Sequence, residues 1–356
     1  MKPWLILASL ALAAPPAAVR RDIGGLHDQF VESVDSAHKK EALAEIARTP
    51  PRSPRDVKWL FDLFMRFPEP SVRDAVLSSV SCLDEASSDL EPAFFEYLKL
   101  PESEAVLFGI HGALRLRASR ALPIITKIAR RRFAYKSPSE TPIQAERNQW
   151  WAQYEALSAL AQWQGAKALP LLTSQAGRAP AVARLMALYL WPESLPQIAR
   201  WANSGSSKAQ IAYEALAADV PLPALRAARP DMLDILRDRK ADRELRHQIA
   251  IKVGRCSSDE AIPALIEEWR AGDDPETKLM FATALFASVN AQTIPWLKQQ
   301  VQECPNPRTR IGALLQLGRM VPAAEHRRLI EWFVAHEPDA DNRQEAAAFL
   351  KAPPSP

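Results

Sequence analysis

At 356 residues, with 45 Lys and Arg against 42 Asp and Glu, the chain carries a formal charge of only +3. That total is too small for general nucleic-acid binding, which needs a dominant basic field. Hydrophobic residues make up 47% and Gly numbers 11 against 30 Pro, which fits a continuous helical core, and no alternating run of Val, Ile, Thr and aromatics marks a strand.

Lys2 precedes an apolar run from Trp4 to Ala14, followed by small residues and prolines to Ala18 and then Arg20 and Arg21. The run is too short to span a bilayer, which takes about 20 apolar residues, and it fits a secretory signal. Residues 1–18 are expected to be that signal, with no cysteine for a lipid anchor and a mature start between Ala14 and Val19. Residues 19–52 then read as capping helices: Leu26, Phe30 and Val34 are four apart, and Leu43 and Ile46 three apart, giving an apolar stripe. Ser53 caps a helix that Pro54 begins, whose buried side is Val57, Leu60, Phe61 and Phe64.

From Arg115 to Lys136 eight basic residues follow without an acidic one: Arg115, Arg117, Arg120, Lys127, Arg130, Arg131, Arg132 and Lys136. Such a run is either a solvated face balanced elsewhere or an anion-binding patch. It leads into residues 133–147, FAYKSPSETPIQAER, whose Pro, Ser and Thr mark irregular chain. Trp150, Trp151 and Tyr154 come next; two of the three are expected in the core and one exposed as an anchor. The candidate partner-binding residues are therefore Arg115, Arg117, Arg130, Arg131, Arg132, Tyr135, Lys136, Trp150 and Trp151.

Towards the C-terminus a unit repeats. Ile262 to Ile266 open one helix, Asp274 and Pro275 break it, and Lys278 to Val289 form a second; Ile294 to Leu297 open the next, Asn306 and Pro307 break it, and Arg310 to Met320 answer. Pro263 to Pro295, and Pro275 to Pro307, are each 32 residues apart. A fixed period of this size marks stacked helix pairs, since one pair cannot bury its own apolar face. Two residues four apart on each second helix extend the pattern: Val76 and Val80, Ile110 and Leu114, Ala156 and Leu160, Ala187 and Trp191, Ala212 and Leu216, Ile249 and Val253, Phe281 and Leu285, Ala313 and Leu317, and Ala346 and Leu350. The step of 46 residues from Leu114 to Leu160 is the insertion, and the step of 25 from Trp191 to Leu216 is the tightest.

The phrases AIPALIEEWRAGDDPETKLMFATALFAS and TIPWLKQQVQECPNPRTRIGALLQLGRM resemble the HEAT repeat, most closely its phycobilisome-lyase-like variety, over roughly residues 54–351. The resemblance implies an all-α fold, a right-handed α-solenoid of about nine stacked antiparallel helix pairs over residues 53–351, with a disordered tail at 352–356. Some members of that family attach bilins, and no residue here carries that chemistry over. Three residues before the small residue, six of the nine pairs of the pattern carry a cation, Arg73, Arg184, Arg246, Lys278, Arg310 and Arg343, while Leu107, Gln153 and Ala209 take the other three. In the HEAT-like pattern this cation resembles a structural one that bridges to acids on neighbouring turns, here Asp74, Asp274, Asp339 or Asp341; without such acids the row becomes a positive groove.

Signatures of catalysis are missing from the sequence: there is no HExxH, GxSxG, Walker loop, GxGxxG or CxxC. Asp339 and Asp341 mimic the start of a calcium loop, but Arg343 takes the third ligand position. Cys82, Cys256 and Cys304 are odd in number; Cys256 and Cys304 lie in repeats one apart, which leaves a pairing open, and buried thiols are expected. The reading is an exported, non-catalytic scaffold without cofactor or metal that holds a protein or peptide on a solenoid face. The alternatives are a module for a polyanion or membrane surface through residues 115–136, and an enzyme or enzyme subunit of the lyase-like kind. Nucleic acid is not an expected partner, and no transmembrane span is expected in the mature chain.

Overall fold

The computed structural model describes residues 22–130 and 144–351; the expected signal, residues 131–143 of the basic run and insertion, and the tail 352–356 lie outside the described residues. Among the described residues the chain is all helical, with no strand. Two compact units are present, one holding the described residues to Arg130 together with 144–159, the other those from Leu160 onward.

In the first unit the helices are α1 (Ile23–Glu32), α2 (Ser36–Ile46), α3 (Pro54–Arg66), α4 (Pro70–Ser81), α5 (Glu91–Tyr97), α6 (Ser103–Arg115), α7 (Leu122–Ala129) and α8 (Gln144–Gln164), whose last turn belongs to the second unit. Adjacent helices pack as pairs, α1 on α2, α3 on α4 and α5 on α6, and α2, α4 and α6 pack on one another in turn. Ser53 caps α3 through the Asp56 N–H at 3.1 Å, and Pro54 takes the first helical position, where its missing N–H costs nothing. Val57, Leu60 and Phe64 are buried, with Leu63 joining them, while Phe61 is half-buried. Val34, expected on the N-terminal stripe, is instead fully exposed, because it lies in the turn between α1 and α2 where the helical period no longer sets its direction.

The second unit continues with α9 (Leu169–Ala176), α10 (Val182–Tyr189), α11 (Trp191–Ala202), α12 (Lys208–Leu216), α13 (Leu222–Ala227), α14 (Arg229–Arg237), α15 (Arg243–Cys256), α16 (Ala261–Ala271), α17 (Pro275–Phe286), α18 (Ile294–Glu303), α19 (Pro307–Leu317), α20 (Ala323–His336) and α21 (Ala340–Lys351). Here too neighbours pack as pairs, and α15, α17, α19 and α21 pack successively. The second helix of the repeat unit starts at Pro275 and ends at Phe286, earlier than the expected Lys278–Val289. Asp274 and Asn306 do more than interrupt: each accepts from two N–H groups of the following turn and so starts its helix.

Of the eighteen residues at the paired positions, all but Leu114 and Leu350 are buried; Leu350 lies near the end of the last helix. Trp191 is fully buried but does not share a helix with Ala187: the backbone turns at Leu190 and Trp191 opens α11. This early start accounts for the tight 25-residue step.

Successive second helices are tied by a bond that recurs in both units. Ser79 donates to Thr49 O at 2.5 Å, Arg115 to Leu83 O at 2.7 Å, Lys252 to Ala218 O at 3.0 Å and Gln316 to Ser288 O at 2.7 Å. Each acceptor lies two or three residues beyond the end of the preceding second helix, where carbonyls lack an intrahelical partner. Between α15 and α17 the approach is closer still. A Cβ on Gly254 would collide with the Ala284 carbonyl oxygen, so glycine is needed there.

Candidate functional site

The basic run is divided by the fold. Arg115, at the end of α6, is exposed but turns its Nε onto Leu83 O. Arg117 adopts φ +50°, a left-handed conformation that few residues other than glycine take, and redirects the chain after α6. Arg120, Lys127 and Arg130 are exposed, and no ion pair holds them among the described residues. Arg130 stands at the C-cap of α7, where a cation meets the negative end of the helix dipole. Arg131, Arg132, Tyr135 and Lys136 lie outside the described residues.

On α8 the inward positions are taken by Ala152, Gln153, Ala156 and Leu157. The Gln153 side-chain amide donates to Ala129 O at 3.1 Å, which fixes this part of α8 beside the C-terminal end of α7 and hence beside Arg130. The helical period then turns the aromatic residues outward. Trp150 stacks on Tyr154 with centroids 5.2 Å apart, and Trp151 meets Trp150 edge-on at 5.0 Å. None of the three is buried: Trp150 and Tyr154 are half-buried and Trp151 is 39% exposed. The expectation that two of them enter the core is corrected; small residues fill the core side of α8, and the rings pack on one another at the surface.

The row of cations behaves as a set of local clamps. Arg310 bonds both carboxylate oxygens of Glu337 and also donates to Cys304 O at 2.7 Å and Pro305 O at 3.1 Å. Arg246 pairs with Glu268 at 3.0 Å and donates to Leu236 O at 3.1 Å. Arg343 donates to Glu337 O at 2.6 Å and Pro338 O at 2.9 Å. In these three, the cation of a second helix satisfies carbonyls at the end of the first helix of its own pair. Arg184 pairs with Glu214 at 3.2 Å and Arg73 lies 3.9 Å from Glu104, whereas Lys278 is exposed and stands over the Trp269 ring at 5.8 Å. The acids are thus Glu104, Glu214, Glu268 and Glu337, not the Asp residues expected from the sequence. Asp274 is occupied with its cap and with Arg243, and Asp339 caps α21 through Asn342 N–H at 2.9 Å. The hydrogen bonds from Arg310 hold the Glu337 carboxyl below its ordinary range, against the opposing effect of burial.

Two features escaped the sequence reading. Lys252 is buried, with Nζ over the Trp191 ring at 5.3 Å and bonded to Ala218 O; burial, with a further push from Arg255, lowers its pKa to about 8. Its apolar neighbours Val253 and Ile249 were legible, but a lysine among them reads as surface. The second feature is a groove of about 580 Å³ along α16, floored by Ile262, Pro263 and Ile266 and edged by Glu267, Arg270 and Gln292. Gln292 joins this lining from 21 residues beyond Ala271, so no local motif announces it.

Among the described residues no group of three or more His, Cys, Asp or Glu is placed to hold a metal. No helix there is long and apolar enough to cross a membrane. Cys82, Cys256 and Cys304 are free thiols; Cys256 is buried as expected, whereas the expectation is corrected for Cys82, which is exposed at the C-cap of α4, and for Cys304, which is half-buried at the C-cap of α18. No protein family matches the chain, and no curated protein does.

Proposed function

We propose that the protein is an exported, non-catalytic scaffold, built as a HEAT-like right-handed solenoid of about nine helix pairs, that holds a protein or peptide partner at the surface of α8. The observation that carries this reading is the group of Trp150, Trp151 and Tyr154, packed ring on ring with Trp151 exposed and the other two half-buried, on a helix that Gln153 bonds to Ala129 O, the residue before the exposed Arg130. Trp, Tyr and Arg are the residue types that dominate binding energy at protein interfaces. The ring stack supplies rigid apolar area at small entropic cost, and Arg130 with Lys127 supplies charge for steering. The successive packing of paired helices supports the solenoid, because that architecture grows by stacking each pair on the last. Export rests on the signal-like pattern of residues 1–18.

A second reading, a polyanion module, is favoured by one fact: Arg120, Lys127 and Arg130 are exposed and free of ion pairs among the described residues. Immobilised native chain, W151A and R130A separate the two when challenged with extract of the cell envelope and with a sulfated polysaccharide at rising salt. Loss of roughly ten-fold or more in protein capture by W151A, with an unchanged melting temperature, is expected of a protein anchor. Polysaccharide binding that falls steeply with salt, is weakened by R130A and is indifferent to W151A supports the polyanion module instead. Unaltered capture in both variants removes this surface from either role.

A further inference from the structure

In the second unit α17 and α19 pack side by side. On α17, Leu279, Thr283 and Phe286 are four and three residues apart and so share one face. Along α19 and the turn that follows it, Arg308, Gly312, Leu315 and Arg319 recur at intervals of four, three and four and share another. Phe286 sets the two stripes against each other: its ring lies 3.3 Å from where a Cβ on Gly312 would stand, with the Trp296 ring of α18 5.8 Å away. The valley between the stripes is apolar and only partly covered. Leu279 is 45% exposed and Thr283 is exposed, while Phe286, Gly312 and Leu315 are half-buried. Thr283 donates its hydroxyl to Leu279 O at 2.9 Å, so that proton is engaged within its own helix.

Charge along the valley is one-sided. Arg308 and Arg319 are exposed at the two ends of the α19 stripe, about 16 Å apart along the helix, and neither guanidinium has an ion pair or hydrogen bond among the described residues. The acid of the opposite wall, Glu276 at the start of α17, is already paired with Arg243 of α15 at 2.8 Å. Arg246 and Arg310, by contrast, have carboxylates of their own in Glu268 and Glu337.

We infer that this valley is a second docking surface, which takes an acidic amphipathic helix, with its apolar face on Leu279, Phe286 and Leu315 and its carboxylates on Arg308 and Arg319. A helix laid between two helices presents side chains at intervals of three and four, the intervals of both walls. Two carboxylates three turns apart on such a helix reach both arginines. A basic helix of the same shape would bring its cations against two that have no counter-charge, which selects the sign of the occupant. This surface is separate from that on α8 and stands whether or not α8 holds a partner.

Fluorescence anisotropy with the full chain at low salt tests the inference with two labelled synthetic probes: a helical peptide of Leu and Ala with Glu at its polar positions, and the same peptide with Lys for Glu. The Glu peptide is expected to bind roughly ten-fold or more tightly than the Lys peptide, and R308E combined with R319E to reverse the preference. L279S is expected to weaken the Glu peptide about five-fold or more without moving the melting temperature, since Leu279 is an exposed contact. W151A should leave binding unchanged. Equal affinity for the two peptides overturns the inference, as does binding that L279S retains in full, which marks a plain anion-binding surface. Loss of the Glu peptide in W151A would place the probe on α8 instead, and a native dimer that R308E with R319E dissociates would give the valley to a second copy of the chain; either result also overturns it.

Discussion

The stretch from α16 to α19 and the stretch from α9 to α14 both bury their paired core positions, yet they differ in how their helices begin and end. In the first, Asp274 and Asn306 stand 32 residues apart and cap α17 and α19 with side-chain oxygens. Asn290 adds a further tie, donating to Ser257 O at 2.8 Å and to Asp259 at 3.0 Å. In the second, α10 and α12 have no side-chain cap, α11 carries Pro196 inside it, and the first helix of one pair is broken into α13 and α14 at Ala228. Ala187, Trp191, Ala212 and Leu216 are nonetheless buried. Core pattern and boundary chemistry are therefore separate signals: the apolar spacing decides that helices pair, and the caps decide where each one starts. A regular period appears only where both agree.

The largest break in this comparison is expected at Arg310. Its guanidinium and the Glu337 carboxylate are 8% and 4% exposed as residues, and Arg310 also holds Cys304 O and Pro305 O. Arg310→Ala strands a buried carboxylate and is expected to cost about 3–5 kcal/mol. The equivalent Arg184→Ala, in the irregular stretch, removes a pair whose side chains are 48% and 34% exposed and is expected to cost under about 1 kcal/mol. Urea unfolding of both variants measures the contrast. Similar losses at the two sites would show that the row of cations contributes alike along the chain.

Lys252 provides the next effect and ties α15 to the irregular stretch, since it reaches to Ala218 and Trp191. Its folded-state pKa is lowered to about 8, so between pH 8 and its ordinary value near 10.5 the unfolded chain holds a proton that the folded chain has released. Stability from this group therefore rises with pH across that window, by about 3 kcal/mol in total. Lys252→Met is expected to remove the rise, and the difference between the two curves cancels the other groups that titrate there. Parallel stability curves for the native chain and the variant from pH 7.5 to 10.5 would contradict the burial argument.

The sequence made helix pairing legible because two apolar residues four apart recur through the chain, and burial at positions such as Phe281, Leu285, Ala313 and Leu317 follows from that spacing. Helix ends were less legible. Asp274 and Asn306 looked like breaks because Asp-Pro and Asn-Pro are turn signals as well as cap signals, and the structure uses them as caps. The ties from Ser79, Arg115, Lys252 and Gln316 were not legible, since each joins residues 28 to 34 apart and depends on which helices lie side by side. The candidate surface on α8 was read in part. Adjacent Trp150 and Trp151 drew attention, but their outward direction depends on Gln153 anchoring α8 to Ala129.

The smallest effect tests the boundary signal alone. Asn306 accepts from Arg308 N–H at 2.9 Å and Thr309 N–H at 3.3 Å, satisfying two of the donors that the first turn of α19 leaves without a helical acceptor. Asn306→Ala is expected to destabilise the chain by about 1 kcal/mol, while Asn306→Asp keeps the acceptor and places a negative charge at the positive helix end, so it should match the native chain or exceed it slightly. Ser207, at the start of α12, makes no such bond, and Ser207→Ala should change stability by no more than about 0.5 kcal/mol. Thermal unfolding under one set of conditions resolves this order. Equal losses at Asn306 and Ser207 would mean that the regular and irregular stretches differ in appearance only, and that capping does not separate them energetically.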